Sequence, residues 1–103
     1  MNAILKNNAD IISELCEEHK VKELYAFGSV LNSNFNEESD IDLMVNFLPQ
    51  DVIEYADNYY DLKFELQKIF KRDIDLLEEK AIKNPYFKRI ISENKHLIYG
   101  YSG

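Results

Sequence analysis

The chain has 103 residues, 46% hydrophobic and 13% aromatic, with 19 acidic side chains against 12 Lys and Arg and a formal net charge of −7. That length suits a single domain spanning residues 1–103, with enough apolar material for a packed core. The charge argues against extended nucleic acid as a ligand, because a phosphate backbone calls for a Lys/Arg footprint, and no stretch approaches the ~20 apolar residues of a membrane span. A single nucleotide escorted by a divalent cation, or a basic protein partner, is compatible with such a surface. Residues 1–8 lack the charged-then-apolar layout of a secretion signal, and a lone cysteine, Cys16, forbids an internal disulfide. Both features lead to the expectation of a reducing cytoplasm.

In chain order, Ile4, Leu5, Ile11, Ile12, Leu15 and Cys16 recur at helical spacing and predict an amphipathic helix over Ala3–His19. Cys16 lies on its apolar stripe and reads as core filler, the alternative being a reactive thiol. Val21–Phe27 reads as a strand ending at Gly28, followed by a short helical turn from Ser29 and a polar loop over Asn32–Ser39. Ile41–Phe47 is a second strand, closed by Pro49. From Asp51 to Lys71, Val52, Ile53, Ala56, Tyr59, Leu62, Leu66, Ile69 and Phe70 form the apolar stripe of a long helix. Its acidic first turn and basic last turn match the helix dipole. Asp73–Leu77 returns to strand pattern, Asn84 and Pro85 open a helix running to about Asn94, and the alternation of Leu97, Tyr99 and Tyr101 suggests a short closing strand. Helices alternating with short strands predict one sheet covered by helices on at least one face.

Chemistry concentrates in Gly28-Ser29 and, ten residues later, Asp40-Ile41-Asp42. A glycine at a strand end brings backbone N–H groups close to a phosphate, with the Ser29 hydroxyl as a further donor, although Gly-Ser also occurs in ordinary turns. Asp40 and Asp42 share one face of a strand whose other face is Ile41, Leu43 and Val45, which puts them roughly 6–7 Å apart at the backbone. They suit either a solvated polar face or a Mg²⁺ site, a hard cation commonly held by one or two carboxylates plus substrate phosphates. Asp is depleted from strands, so the pair asks for a reason. Asp73-Ile74-Asp75 repeats the pattern beyond the long helix. A neighbouring strand, parallel or antiparallel, would bring Asp75 to the same place, while Asp73 reads as a helix-strand junction residue. His19 and His96 are single and without metal-ligand partners at short spacing. Of seven tyrosines, Tyr55, Tyr59 and Tyr60 fall on the long helix, Tyr59 on its core stripe and the other two as packing residues or an interface edge.

Together these segments resemble the nucleotidyltransferase superfamily that includes DNA polymerase beta, and within it the minimal (MNT) branch paired with HEPN toxins in toxin–antitoxin modules. The resemblance rests on Gly28-Ser29…Ser39-Asp40-Ile41-Asp42, continues through Asp73-Ile74-Asp75-Leu76-Leu77, and extends over Ala81–Ile91. It implies an α+β fold, a small mixed sheet with helices packed mainly on one face. It further implies that Asp40, Asp42 and Asp75 bind Mg²⁺ and carry catalysis, that Gly28 and Ser29 hold the phosphates of ATP, and that AMP passes to a hydroxyl, a tyrosine, of a HEPN toxin partner. Many members follow Gly-Ser with arginines at the first and third later positions and a glycine at the fourth. Here those positions are Val30, Asn32 and Ser33. Lys71, Arg72 and Arg89 are either substitutes for the missing cations or solvated helix-end charges. The alternative to an enzyme is a binding module with a degenerate nucleotide site that neutralises its partner by stoichiometric contact.

Overall fold

The computed structural model describes residues 3–31 and 35–101. Helices α1 (Ala3–Asn7) and α2 (Ala9–Glu18) precede strand β1 (Val21–Phe27) and a 3₁₀ turn, Gly28–Leu31. Strand β2 (Ile41–Phe47), helix α3 (Val52–Phe70) and strand β3 (Ile74–Glu78) follow, then a 3₁₀ turn at Glu79–Ala81, helix α4 (Pro85–Asn94) and strand β4 (His96–Gly100). The sheet order is β3-β2-β1-β4. β1 pairs antiparallel with both β2 and β4, and β2 pairs parallel with β3, the crossover between them being α3. The expected α+β fold with a small mixed sheet is the fold observed.

Strand alternation sorts the residues of the sheet onto two faces. Leu24 and Ala26 of β1, Ile41, Leu43, Val45 and Phe47 of β2, and Ile74 and Leu76 of β3 form the core with Leu5, Ile12, Leu15 and Cys16 of the first two helices and Leu62, Leu66 and Phe70 of α3. α2 packs on β1, β4 and α3, and α3 on β3. The second face carries Asp42, Met44 and Asn46 on β2. Met44 on this face and Ile91 of α4 are both buried yet stand outside the main core. Helices therefore pack mainly on one face, and the carboxylate face is left largely open.

Capping sets the helix ends. The Asp51 carboxylate accepts from the Glu54 N–H at 2.8 Å, and Lys71 ends α3 in the left-handed conformation with its N–H on the Gln67 carbonyl. Asn84 Oδ1 accepts from the N–H groups of Tyr86 and Phe87, with Pro85 in the first turn.

Two expectations are corrected. The single helix over Ala3–His19 is two helices broken at Asn8, whose side-chain amide donates to the Ile4 carbonyl at 2.7 Å in competition with the helical ladder. The stripe of α3 begins later than its sequence pattern predicts, since Val52 and Ile53 are 83% and 76% exposed. Tyr55, edge-on to Phe47 with ring centroids 5.1 Å apart, is the first α3 side chain to reach the core, so the turn before it lies beyond the sheet.

Leu24 on central strand β1 is fully buried. Leu24→Ala is expected to destabilise the fold by about 2–5 kcal/mol, read as a lower urea midpoint with an unchanged denaturant slope.

Candidate functional site

Three strands deliver one row of side chains. Phe27 on β1 faces Asp42 on β2, and Asp42 faces Asp75 on β3. Adjacent strands lie about 4.8 Å apart, so carboxylates in register on one face come close enough to repel. Asp42 feels that crowding. Its carboxyl is pushed above the ordinary aspartate range by burial first, then by the charges of Asp75 and Asp40. Asp75 is exposed, and Asp40, also exposed, stands one residue ahead of β2. The parallel pairing answers the open question of how Asp75 approaches.

Gly28 completes the row. Its φ is +76°, a left-handed conformation, and a Cβ placed there would lie 2.4 Å from Asp42 Oδ2. Both facts demand glycine, because the carboxylate of Asp42 rests directly against the Gly28 backbone. Ser29 follows, half-buried, in the 3₁₀ turn that begins at Gly28 rather than at Ser29.

The segment ahead of Asp40 is built as a tight turn. The Asn36 carbonyl accepts from the Ser39 N–H, Asn36 Oδ1 from the Glu38 N–H, and Ser39 Oγ from the Asn36 N–H. Arg72 clamps it: Nη1 donates to the carbonyls of Asn36 and Ser39, both at 2.9 Å, and the guanidinium stacks 4.6 Å from the centre of the Phe35 ring. The Ile41 N–H bonds to the Asp73 carbonyl and ties the same loop to the start of β3. Arg72 is therefore no solvated helix-end charge but a residue that positions the strand entry carrying Asp40. Only the parallel β2–β3 pairing brings it there, and no local pattern announces it. Asp73, exposed at the α3–β3 junction, behaves as expected.

Of the other candidate cations, Arg89 pairs with Glu93 on the exposed side of α4, and Lys71 is an exposed helix cap. Val30, where an arginine is common in the resembling family, is 1% exposed in the core, so its side chain turns inward and cannot serve a ligand. Asn32 and Ser33 lie outside the described residues. Cys16 is fully buried, with its thiol pushed up to about 12 by burial and by the Glu17 charge, which leaves it core filler. His19 Nδ1 lies 2.7 Å from the Leu15 carbonyl, and His96 sits exposed on β4. Tyr59 Oη donates to the Leu76 carbonyl, a packing role.

Among the described residues no group of three or more His, Cys, Asp or Glu side chains is arranged to hold a metal ion by itself. What the row offers is an open platform of crowded carboxylates whose repulsion a cation would relieve. That donor set fits Mg²⁺ completed by substrate phosphates and not a protein cage.

Because its carboxyl is raised on folding, Asp42 favours the folded state below the ordinary aspartate range, and that contribution is lost as pH rises through its folded value. Asp42→Asn is expected to raise the thermal midpoint at pH 7 without Mg²⁺, by an increment that fades as the pH falls below the carboxylate range, and to abolish any gain on adding Mg²⁺. Gly28→Ala is expected to cost about 1–2 kcal/mol for the left-handed backbone alone and to blunt the same Mg²⁺ response by displacing Asp42. Thermal melts with and without Mg²⁺ across pH check both.

The sequence profile of the nucleotidyltransferase domain family matches residues 9–98. A relative from Methanocaldococcus jannaschii, named "Putative protein adenylyltransferase", is 38% identical over 93% of this chain and 90% of its own. A solved structure described as a "putative minimal nucleotidyltransferase" superposes with a TM-score of 0.76 at 23% identity, covering 93% of this chain and 95% of the other. A toxin–antitoxin crystal structure with AMP-PNP gives a TM-score of 0.69 at 21% identity over 92% and 75%. A tri-AMPylated HEPN toxin in complex with MNT antitoxin from Shewanella oneidensis gives 0.63 at 20% over 93% and 73%. These structural likenesses share the fold. On the profile match and the identity to the curated relative, the chain belongs to the nucleotidyltransferase domain family.

Proposed function

We propose that this chain transfers AMP from ATP to a hydroxyl, a tyrosine, of a HEPN-type toxin, with Mg²⁺ held by Asp40, Asp42 and Asp75, and that it thereby acts as an antitoxin. The observation that carries this reading is the Phe27–Asp42–Asp75 row with Gly28 packed against Asp42. It sets a phosphate-approachable backbone beside the crowded acids. The similarity to named adenylyltransferases and to a toxin–antitoxin pair carrying AMP supports the choice of reaction and partner.

In this reading the backbone at Gly28 and the Ser29 hydroxyl hold the triphosphate so that the α-phosphorus lies over the acid row. Mg²⁺ would neutralise the phosphates and lower the pKa of the attacking hydroxyl. Asp75 is exposed on edge strand β3, where an acceptor can approach, and it orients the incoming hydroxyl and takes its proton. The acceptor oxygen bonds to the α-phosphorus, the bond to the α–β bridging oxygen breaks, and pyrophosphate leaves. Asp42, at the centre of the row, holds the two halves of the site in register. Its raised carboxyl makes it the position most relieved by a bound cation.

One observation favours a second reading. Of the positions where the resembling family or this sequence offered a phosphate-facing cation, Val30 is in the core, Arg72 is clamped to a loop and Arg89 is paired, which leaves Lys71 as an exposed helix cap. A stoichiometric binding module with a degenerate nucleotide site would need none.

The two separate in one assay. The protein is incubated with labelled ATP, Mg²⁺ and its HEPN partner. Label is expected on the partner and is expected to fall by about 100-fold or more in Asp42→Asn and Asp75→Asn, a loss typical of removing one electrostatic element of a site. Absence of label on the partner while it is still neutralised and ATP still binds would overturn the enzymatic reading in favour of the binding module.

A further inference from the structure

β3 is an edge strand, with β2 on one side and no strand of the described residues on the other. The Asp73 carbonyl accepts from the Ile41 N–H, so by strand alternation Asp73, Asp75 and Leu77 turn their backbone groups towards β2. Ile74, Leu76 and Glu78 turn theirs outward. The Tyr59 hydroxyl reaches from α3 to the Leu76 carbonyl, which confirms that this carbonyl lies on the outer side.

Edges of this kind are commonly blunted by proline, lysine or a bulge. β3 has neither proline nor lysine, and its register with β2 runs from Ile74 to Glu78 without a shift. The opposite edge strand, β4, does shift its register against β1. Beside the β3 edge lies a cleft of about 430 Å³, walled by Tyr55, Ala56, Tyr59 and Tyr60 of α3 and by Leu76 and Glu78 of β3. Leu76 belongs to the core, so this cleft opens on the α3 side of the sheet, whereas Asp75 stands on the carboxylate side.

We infer that the β3 edge receives the acceptor segment of the protein substrate as an added strand, a reading that rests on the nucleotidyl transfer proposed above. Main-chain pairing then supplies affinity, and alternating side chains supply specificity. Whichever way the added strand runs, its residue opposite Asp75 shares the face of Asp75 and extends the row Phe27–Asp42–Asp75 by one strand. The backbone of that residue lies about 4.8 Å beyond Asp75. A tyrosine is longer than this spacing and leans its hydroxyl over Asp75 towards Asp42. A serine or threonine is shorter than the spacing and falls short of the row. The neighbouring residue, opposite Leu76, points to the other face and into the cleft under α3, which suits an apolar side chain. The edge therefore selects an extended segment with a tyrosine beside an apolar residue. Tyr59 holds the Leu76 carbonyl in the free protein, so an arriving strand competes with its hydroxyl.

The HEPN partner of the assay above is the probe. Amide exchange followed by NMR is expected to slow on adding the partner at Leu76 and Glu78 by about tenfold, the scale of one added backbone hydrogen bond. Asp75 and Leu77, already turned to β2, are expected to change little. Glu78→Pro removes an outward N–H that β2 does not use, a position where an edge strand tolerates proline. It is expected to raise the KM for the partner about five- to tenfold with ATP binding unchanged. Glu78→Ala loses the same carboxylate but keeps the N–H, and is expected to hold that KM within about twofold. Tyr59→Phe frees the Leu76 carbonyl and is expected to lower the KM. The exchange pattern needs no variant and decides the question if Glu78→Pro does not fold. Unchanged exchange at Leu76 and Glu78 in the complex, or equal effects of the two Glu78 variants, overturns the edge site and leaves the nucleotidyl reading standing. Slowing that appears in the free protein and grows with its concentration gives the edge to a second copy of this chain and overturns it as well. Absence of transfer by the unaltered protein removes the nucleotidyl reading and this inference with it.

Discussion

The contact between the Asp42 carboxylate and the Gly28 backbone is the constraint around which the open face is arranged. It requires a residue with no Cβ, in a left-handed conformation, one position beyond the strand residue that pairs with Asp42. Everything on both sides has to respect that approach. β1 must end at Phe27, the chain must turn at once into a 3₁₀ segment, and Val30 must point back into the core to anchor the turn. With those conditions met, the backbone at Gly28 and two in-register acids lie within one small patch of the sheet.

The patch works against stability. Asp42 sits partly buried beside two like charges, and burial and those charges push its carboxyl above the ordinary aspartate range. The surrounding fold compensates by making the framework of the patch stiff. β2 is the strand paired on both sides that carries Asp42, and its core-facing residues Ile41, Leu43 and Val45 are almost wholly buried. Arg72 fixes the loop that leads into Asp40 through two carbonyls and a ring. In the function proposed, a cation and a phosphate chain would neutralise that crowding. This is the usual exchange of folding stability for function at preorganised sites.

Much of this was legible in the chain. β1, β2 and α4 occupy the spans their patterns predict, because period-two and helical spacings there are backed by punctuation at Gly28, Pro49 and Asn84-Pro85. Asp40 and Asp42 alternate with aliphatics, so a shared face was the expectation from strand geometry, and Asp42 stands on the face opposite Ile41, Leu43 and Val45. Other features needed tertiary information. Asn8 is a permissible helix residue until its amide captures the Ile4 carbonyl, and Val52 and Ile53 match the α3 stripe but overhang the sheet. Arg72 lies 36 positions from Asn36, so its clamp appears only once β2 and β3 pair in parallel. Val30 is apolar where the resembling family often has a cation, and its burial explains the departure as anchoring of the turn.

The central claim is that Asp42 and Asp75, in register on parallel strands and backed by Gly28, share one divalent cation with the phosphates of a nucleotide. Crystals grown with Mn²⁺ and a non-hydrolysable ATP analogue test it directly, through the anomalous signal of the manganese. The account predicts a peak within coordinating distance of both carboxylates, with the triphosphate passing over Gly28 and Ser29. A peak bound elsewhere, or a nucleotide whose phosphates avoid the Gly28 turn, would contradict it.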